Sequence, residues 1–292
     1  MTSDSGSSPK KSLWLPIIIF GILIAIAVAI FFNYETVSTF INPNSIKDST
    51  EIATIKDTLP PVLKHKKTIY FTFDDGPNSG SKIISNILNE EQIKATLFIV
   101  GLHVYADQIN FATYQTIKQN KWIELANHSY THAFRNRFDY FYEHTDSAVK
   151  DFQRCEDSLH FYTNIVRTPG RNIWRVDSLH FSDNRKSSRT ADSVHNKGFS
   201  LLGWDLEWQY NRRHRLIQSD SFLMSQIQNL FAEGHTRTPN QLVILAHDIT
   251  FITPEDSASL HRLIINLKQK DEYNFEFVSR YPRSATEKGV KK

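Results

Sequence analysis

The pattern that most limits what this chain can fold into is an alternation of short apolar runs with amphipathic helical stretches. Runs rich in β-branched and aromatic residues occur at 68–73, 95–100, 122–126, 200–204, 242–246 and 275–278, with a weaker one near Ile165. Between them the apolar period changes to that of a helix. Ile83, Ile84, Ile87 and Leu88 fall on one face, and so do Leu223, Ile227, Leu230 and Phe231. Thr253-Pro254-Glu255-Asp256 supplies an N-cap, a proline at the first helical position and early acids. Strands that alternate with helices in this way build a parallel sheet, so the expected class is α/β.

Two segments carry chemistry. Asp74 and Asp75 follow the apolar run 68–73 directly, and Gly76-Pro77 turns the chain away. Adjacent carboxylates at the C-terminal end of a strand belong to an active face more than to a core, and one can hold a metal while its neighbour moves a proton. His128 and His132 follow the run 122–126, and their i, i+4 spacing puts both rings on one side of a helical turn. With a carboxylate of the Asp74-Asp75 pair as third ligand they make a His-His-Asp set with a position left open for water. Zinc is the usual occupant, and other first-row metals, cobalt among them, suit the same donors.

With these residues the chain resembles the polysaccharide deacetylases, carbohydrate esterase family 4. The family motif Thr-Phe-Asp-Asp-Gly-Pro is matched at residues 72–77, and His-Ser/Thr-x-x-His at 128–132. Arg-x-Pro is matched at Arg167-Thr168-Pro169 and Leu-x-His at Leu245-Ala246-His247, in the family's order. The resemblance implies an irregular seven-stranded (β/α) barrel with every motif at the C-terminal ends of its strands. It implies Asp75, His128 and His132 as metal ligands, Asp74 as general base and His247 as general acid, with Arg167 orienting Asp74. Two segments depart from the pattern. Gly170 stands where the family carries an aromatic residue whose backbone N–H helps bind the oxyanion; the N–H remains and the aromatic wall is lost. The acid that orients the catalytic histidine is Asp205 or Glu207, which face the same side if the strand continues. Glu207-Trp208 copies the family's acid-aromatic order, so Glu207 leads. Trp208 is either a substrate platform or packing beneath a loop.

The stretch 13–32 has no charge between Lys11 and Glu35 and as a helix would span ~30 Å, the thickness of a bilayer's hydrocarbon core. Its alanines lie inside the run and bulky Phe31-Phe32 follow, unlike a cleavage site, so an uncleaved anchor is expected. Lys10 and Lys11 place the short N-terminus, 1–12, in the cytoplasm and the rest outside the cytoplasmic membrane. Residues 33–65 read as a linker, 66–281 as one catalytic domain and 282–292 as a basic tail. A net charge of +3, no phosphate-cradling glycine loop and no internal repeat point to no nucleic-acid partner, and the single Cys155 excludes an internal disulfide. The expected activity is metal-dependent removal of N-acetyl groups from an N-acetylglucosamine-containing polysaccharide: peptidoglycan, poly-N-acetylglucosamine or chitin oligomers. An O-acetyl esterase on a glycan such as acetylxylan and an inactive carbohydrate-binding wall protein are the alternatives.

Overall fold

A computed structural model of the chain describes residues 67–283. The anchor at 13–32, the linker and nearly all of the basic tail lie outside the described residues, among which no helix is long and apolar enough to cross a membrane.

The strands are β1 (Lys67–Gly76), β2 (Ala95–Ile99), β3 (Ile123–Asn127), β4 (Ile165–Val166), β5 (Ile173–Val176), β6 (Leu179–Ser182), β7 (Ser200–Leu201), β8 (Leu206–Glu207), β9 (Gln241–His247) and β10 (Tyr273–Phe275). They form one mixed ten-stranded sheet in the order β6-β5-β7-β4-β3-β2-β1-β9-β8, with β10 on β1. From β7 through β1 to β8 every ladder is parallel, and the two ends of this curled run are not laddered to each other among the described residues. This is an α/β sheet of the kind from which (β/α) barrels are made.

Alternation along β1 sets the two sides of the sheet. Ile69, Phe71 and Phe73 point outward into an apolar layer with Ile84, Ile87 and Leu88 of the helix Ser79–Glu91, Leu223 and Ile227 of Asp220–Glu233, and Leu260, Leu263 and Ile264 of Pro254–Lys268. Tyr70 points inward to Phe98, Trp174, Val243 and Tyr281. Thr72 and Asp74 share its parity, which brings a carboxylate to the inner face at the strand's C-terminal end. Burying a Phe side chain such as Phe73 contributes about 1.5–3 kcal/mol, so the outer layer holds β1 firmly beneath its polar end.

Three local expectations need correction. The run 200–204 is a strand only at Ser200–Leu201, because Leu202 to Trp204 turn inward and Trp204 N donates to Asn172 Oδ1 (3.1 Å). β8 is therefore a separate strand beginning at Leu206. The run 275–278 pairs on β1 only to Phe275 and then tightens into the 3-10 turn Val278–Arg280. The antiparallel hairpin β5–β6, closed by Asp177 at φ 51°, was not foreseen.

Candidate active site

Both carboxylates reach one place because β1 bulges between them. Asp75 takes φ +75°, and the pairing with β2 skips from Asp74 to Gly76. Adjacent side chains of a regular strand face opposite ways; the bulge cancels that alternation within the strand, ahead of Gly76-Pro77. His103 Nδ1 lies 2.7 Å from the Asp75 carbonyl oxygen and fixes the bulge from the far side.

His128 and His132 do meet, with ring centroids 5.1 Å apart, but not on a right-handed helical face. His128 lies in the loop after β3, and residues 132–136 make one left-handed turn with φ from 50° to 65°. Arg135 N donates to Thr131 O (2.9 Å) and Arg137 N to Ala133 O (2.8 Å). A left-handed turn costs roughly 1–2 kcal/mol per L-residue. Here it is anchored by Thr131, whose N–H and hydroxyl both reach Asp151 Oδ2 at 3.0 Å, and by the fully buried Ala133.

Asp75 Oδ1 lies 3.1 Å from His132 Nε2 and 3.4 Å from His128 Nε2, with no aligned hydrogen bond to either. The opposite ring nitrogens explain why. His128 Nδ1 is 2.9 Å from the Arg167 carbonyl oxygen, and His132 Nδ1 meets Asn136 Oδ1. Both acceptors require a donating Nδ1–H, so both Nε2 atoms present lone pairs to the carboxylate oxygen. Three lone-pair donors converge with no proton between them, a set that fits a divalent cation. Burial works to raise the Asp75 carboxyl; hydrogen bonds from the two imidazoles and their positive charge, present only when the Nε2 atoms are protonated, hold it well below the usual carboxylate range, and a cation seated among the lone pairs would act in the same direction.

Asp74 is only 3% exposed and is clamped by Arg167, which is fully buried. The Arg167 Nη1 donates to Asp74 Oδ1 (2.9 Å) and to Thr72 Oγ1 (2.6 Å). Its Nε donates to Leu202 O (3.1 Å), its Nη2 to Gly203 O (2.8 Å), and its Cζ lies 4.2 Å above the Phe98 ring. Asp74 Oδ2 is 3.6 Å from His128 Nε2, so the clamped carboxylate borders the ligand set.

Across from this group, His247 pairs with Asp74 in the parallel register of β9 on β1. Its Nδ1 is buried without a hydrogen-bond partner, and the Tyr210 ring packs against it at 4.9 Å. Of the two acids proposed to orient it, only Glu207 faces the site: burial raises its carboxyl, and His247, Asp74 and Arg167 are the charges acting on it. Asp205 precedes β8 and is tied off elsewhere, its oxygens accepting from Arg237 N and Val243 N at 2.8 Å. Burial pushes it up to about 6. The expectation that both acids face one side fails because the strand does not extend back to Asp205. Trp208 is 1% exposed, packs on Phe251 and donates to Gln218 O (2.9 Å), so it supports a loop and offers no platform to a substrate.

Gly170 sits at φ +64°, where a Cβ would come within 2.8 Å of the Phe138 ring. That ring also stands edge-on to His132 at 5.8 Å. Tyr210, Phe138 and the buried Asp248, which accepts from Asn78 Nδ2 (2.6 Å) and from the Ser81 hydroxyl, were not found from the sequence. Asp248 alone had a local signal, following His247 at the strand end.

A polysaccharide deacetylase family model matches residues 62–172. YheN of Bacillus subtilis, itself named provisionally as a polysaccharide deacetylase, is 29% identical over 79% of this chain and 77% of its own. A peptidoglycan-N-acetylglucosamine deacetylase of Bacillus cereus is 25% identical over 73% of this chain and 70% of its own. The catalytic domain of the peptidoglycan N-acetylglucosamine deacetylase from Eubacterium rectale shares the fold, with a TM-score of 0.53 and 20% identity over 83% of this chain and 97% of that one. The family model thus spans the segments that build the Asp-Asp and His-His group, and in sequence and fold the chain is similar to polysaccharide deacetylases and to a family 4 carbohydrate esterase of Streptomyces lividans.

Proposed function

We propose that the chain hydrolyses N-acetyl groups from an N-acetylglucosamine-containing polymer, peptidoglycan foremost, using a divalent ion held by Asp75, His128 and His132. The observation that carries this reading is the convergence of Asp75 Oδ1 with two imidazole Nε2 atoms beside a carboxylate clamped by a buried guanidinium. Activities of the B. cereus and E. rectale relatives support the choice of polymer. The parallel run from β7 to β8 is read as the irregular seven-stranded barrel, with the site at its C-terminal mouth.

The bound ion, zinc by the chemistry of the donor set, would polarise the acetyl carbonyl and bring the pKa of water towards ~7. Asp74, held in place by Arg167, accepts the proton of the attacking water. The Gly170 N–H is the donor that the family resemblance assigns to the developing oxyanion. On the other flank His247 delivers a proton to the departing nitrogen, and Glu207 is the acid that faces it. The uncharged stretch 13–32 would tether the domain to the outer side of the cytoplasmic membrane, within reach of such a polymer.

Acetate release by the full chain from peptidoglycan, chitooligosaccharide and acetylxylan, measured side by side, tests this. Acetate from the N-acetylated substrates, abolished by chelator and restored by zinc or cobalt, is the expected result. Preferential cleavage of acetylxylan would move the assignment to an O-acetyl esterase. Elemental analysis of the His128→Ala/His132→Ala double variant should show the metal lost, and full occupancy there would overturn the ligand set.

A further inference from the structure

After β8 the chain leaves the site as a tight hairpin built to stand rigidly. Tyr210 and Leu216 form an antiparallel bridge, Ile217 N donates to Gln209 O (3.0 Å), and Asn211 N donates to Arg215 O (2.9 Å). The Asn211 Oδ1 accepts from the backbone of Arg213 (2.8 Å) and Arg215 (3.2 Å), which fixes the tip. At its base the buried Trp208 is pinned to Gln218, and the Tyr210 ring lies on His247. The tip is therefore placed relative to the reacting atoms by direct contacts.

That tip reads Arg212-Arg213-His214, all exposed. Among the described residues neither Arg212 nor Arg213 has a carboxylate partner, whereas Arg215 is bound to Asp256 and lies 3.3 Å from Glu255. Asp220, the acid of the next helix, is taken by Arg262 at 3.0 Å. The nearby acids are thus already paired. The His132 side differs: there Arg135 and Arg137 are accompanied by the exposed Asp139 and Glu143, so the local field is mixed. With a net charge of only +3 on the whole chain, two guanidinium groups without a carboxylate partner among the described residues, at the tip of the arm whose Tyr210 packs on His247, are a concentrated positive feature.

We propose that the hairpin from Gln209 to Ile217 is a subsite for an oxyanion group, carboxylate or phosphate, carried by the polymer on a sugar next to the one being deacetylated. The inference rests on reading the site as a polysaccharide deacetylase. The tip turns back at Asn211–Arg215, and its His214 ring lies 5.8 Å from the Tyr210 ring that packs on His247, so it stands one ring removed from His247 and is suited to a neighbouring sugar and not to the reacting acetamide. Guanidinium groups match both oxyanions through paired N–H donors. The subsite would select acidic glycans over neutral ones and would be screened by salt.

The test uses the full chain and its Arg212→Gln/Arg213→Gln variant, whose changes lie on an exposed tip. Native gels containing alginate, a phosphorylated mannan or neutral hydroxyethyl cellulose measure binding without catalysis. The wild type should be retarded by an acidic gel and not by the neutral one, and the variant should bind the acid about three- to tenfold more weakly. Whichever acidic gel retards it more names the oxyanion. Equal retardation of both proteins, retardation in the neutral gel, or none in either acidic gel overturns the proposal. In parallel, the ratio of kcat/KM on glycan strands bearing free lactyl carboxylates to that on neutral chitooligosaccharide should fall by a similar factor in the variant. An unchanged ratio overturns it too. If acidic gels discriminate the two proteins but neither substrate releases acetate, the deacetylase reading fails and the oxyanion subsite stands.

Discussion

The two flanks of the site differ in how much of their polar capacity is already used. On the flank made by β1, β3 and β4, Asp74 is bound by Arg167, His128 by the Arg167 carbonyl, and the Asp75 bulge by His103. On the flank made by β8 and β9, His247 Nδ1 has no partner, and Glu207 accepts no hydrogen bond from the described residues. The first flank is organised before substrate arrives, as electrostatic catalysis demands. The second is left open, and under the proposed reaction its geometry would be completed by the substrate. A base and ligand set must be fixed in advance, whereas an acid that serves a leaving nitrogen can wait for that nitrogen.

The comparison is broken most directly on the fixed flank. Asp74→Asn should retain metal by elemental analysis and lose at least ~100-fold in kcat, the scale of a missing general base. Asp75→Asn should lose metal affinity instead and recover part of its rate in excess metal. The opposite pattern of rescue would exchange the two roles. A smaller loss is expected on the open flank. Glu207→Gln should lower kcat about tenfold, because the acid that faces His247 is gone. Metal content should not change, and a fall in occupancy would mean that the flanks are not separate. The smallest effect is expected at Asp205, whose carboxylate is bound by Arg237 N and Val243 N. Asp205→Asn should leave turnover within about twofold, since its carboxylate serves only backbone N–H groups outside the site. Its influence should appear in stability. The folded value of about 6 is raised above the ordinary 3.8, so its stabilising share is complete below about pH 4 and fades as pH rises to about 6. The melting-temperature deficit of Asp205→Asn should therefore shrink across that window. A deficit that is constant with pH would show that Asp205 does not titrate there.

What could be read in advance follows the same division. Asp74, Asp75, His128 and His132 were legible because their meaning is local: acids at a strand end and rings four residues apart. Phe138 and Tyr210 carried no local signal, since their positions depend on a left-handed turn and a hairpin that place them beside His132 and His247. The turn itself was hidden, because nothing in His132-Ala133-Phe134-Arg135 announces positive φ in the absence of glycine. Asp205 and Glu207 could not be separated by parity while the start of β8 was unknown, and Trp208 had the same composition whether it faced solvent or Phe251. The hairpin β5–β6 was missed because its turn, Asp177-Ser178, lacks the glycine that usually marks one.

Arg167 joins the ends of β1, β4 and β7 through Asp74, Leu202 and Gly203, and in the proposed mechanism it also holds the base. Structure and chemistry therefore share one side chain, with an evolutionary consequence. A descendant that abandoned catalysis by losing Asp74 to an apolar residue would keep a fully buried cation without its counter-ion, at a cost of about 3–5 kcal/mol. Such a lineage would be under pressure to replace Arg167 as well, and with it the pins across β7. Inactive relatives should accordingly lose the pair together, and a chain that retains Arg167 with an apolar residue at the Asp74 position should be poorly stable.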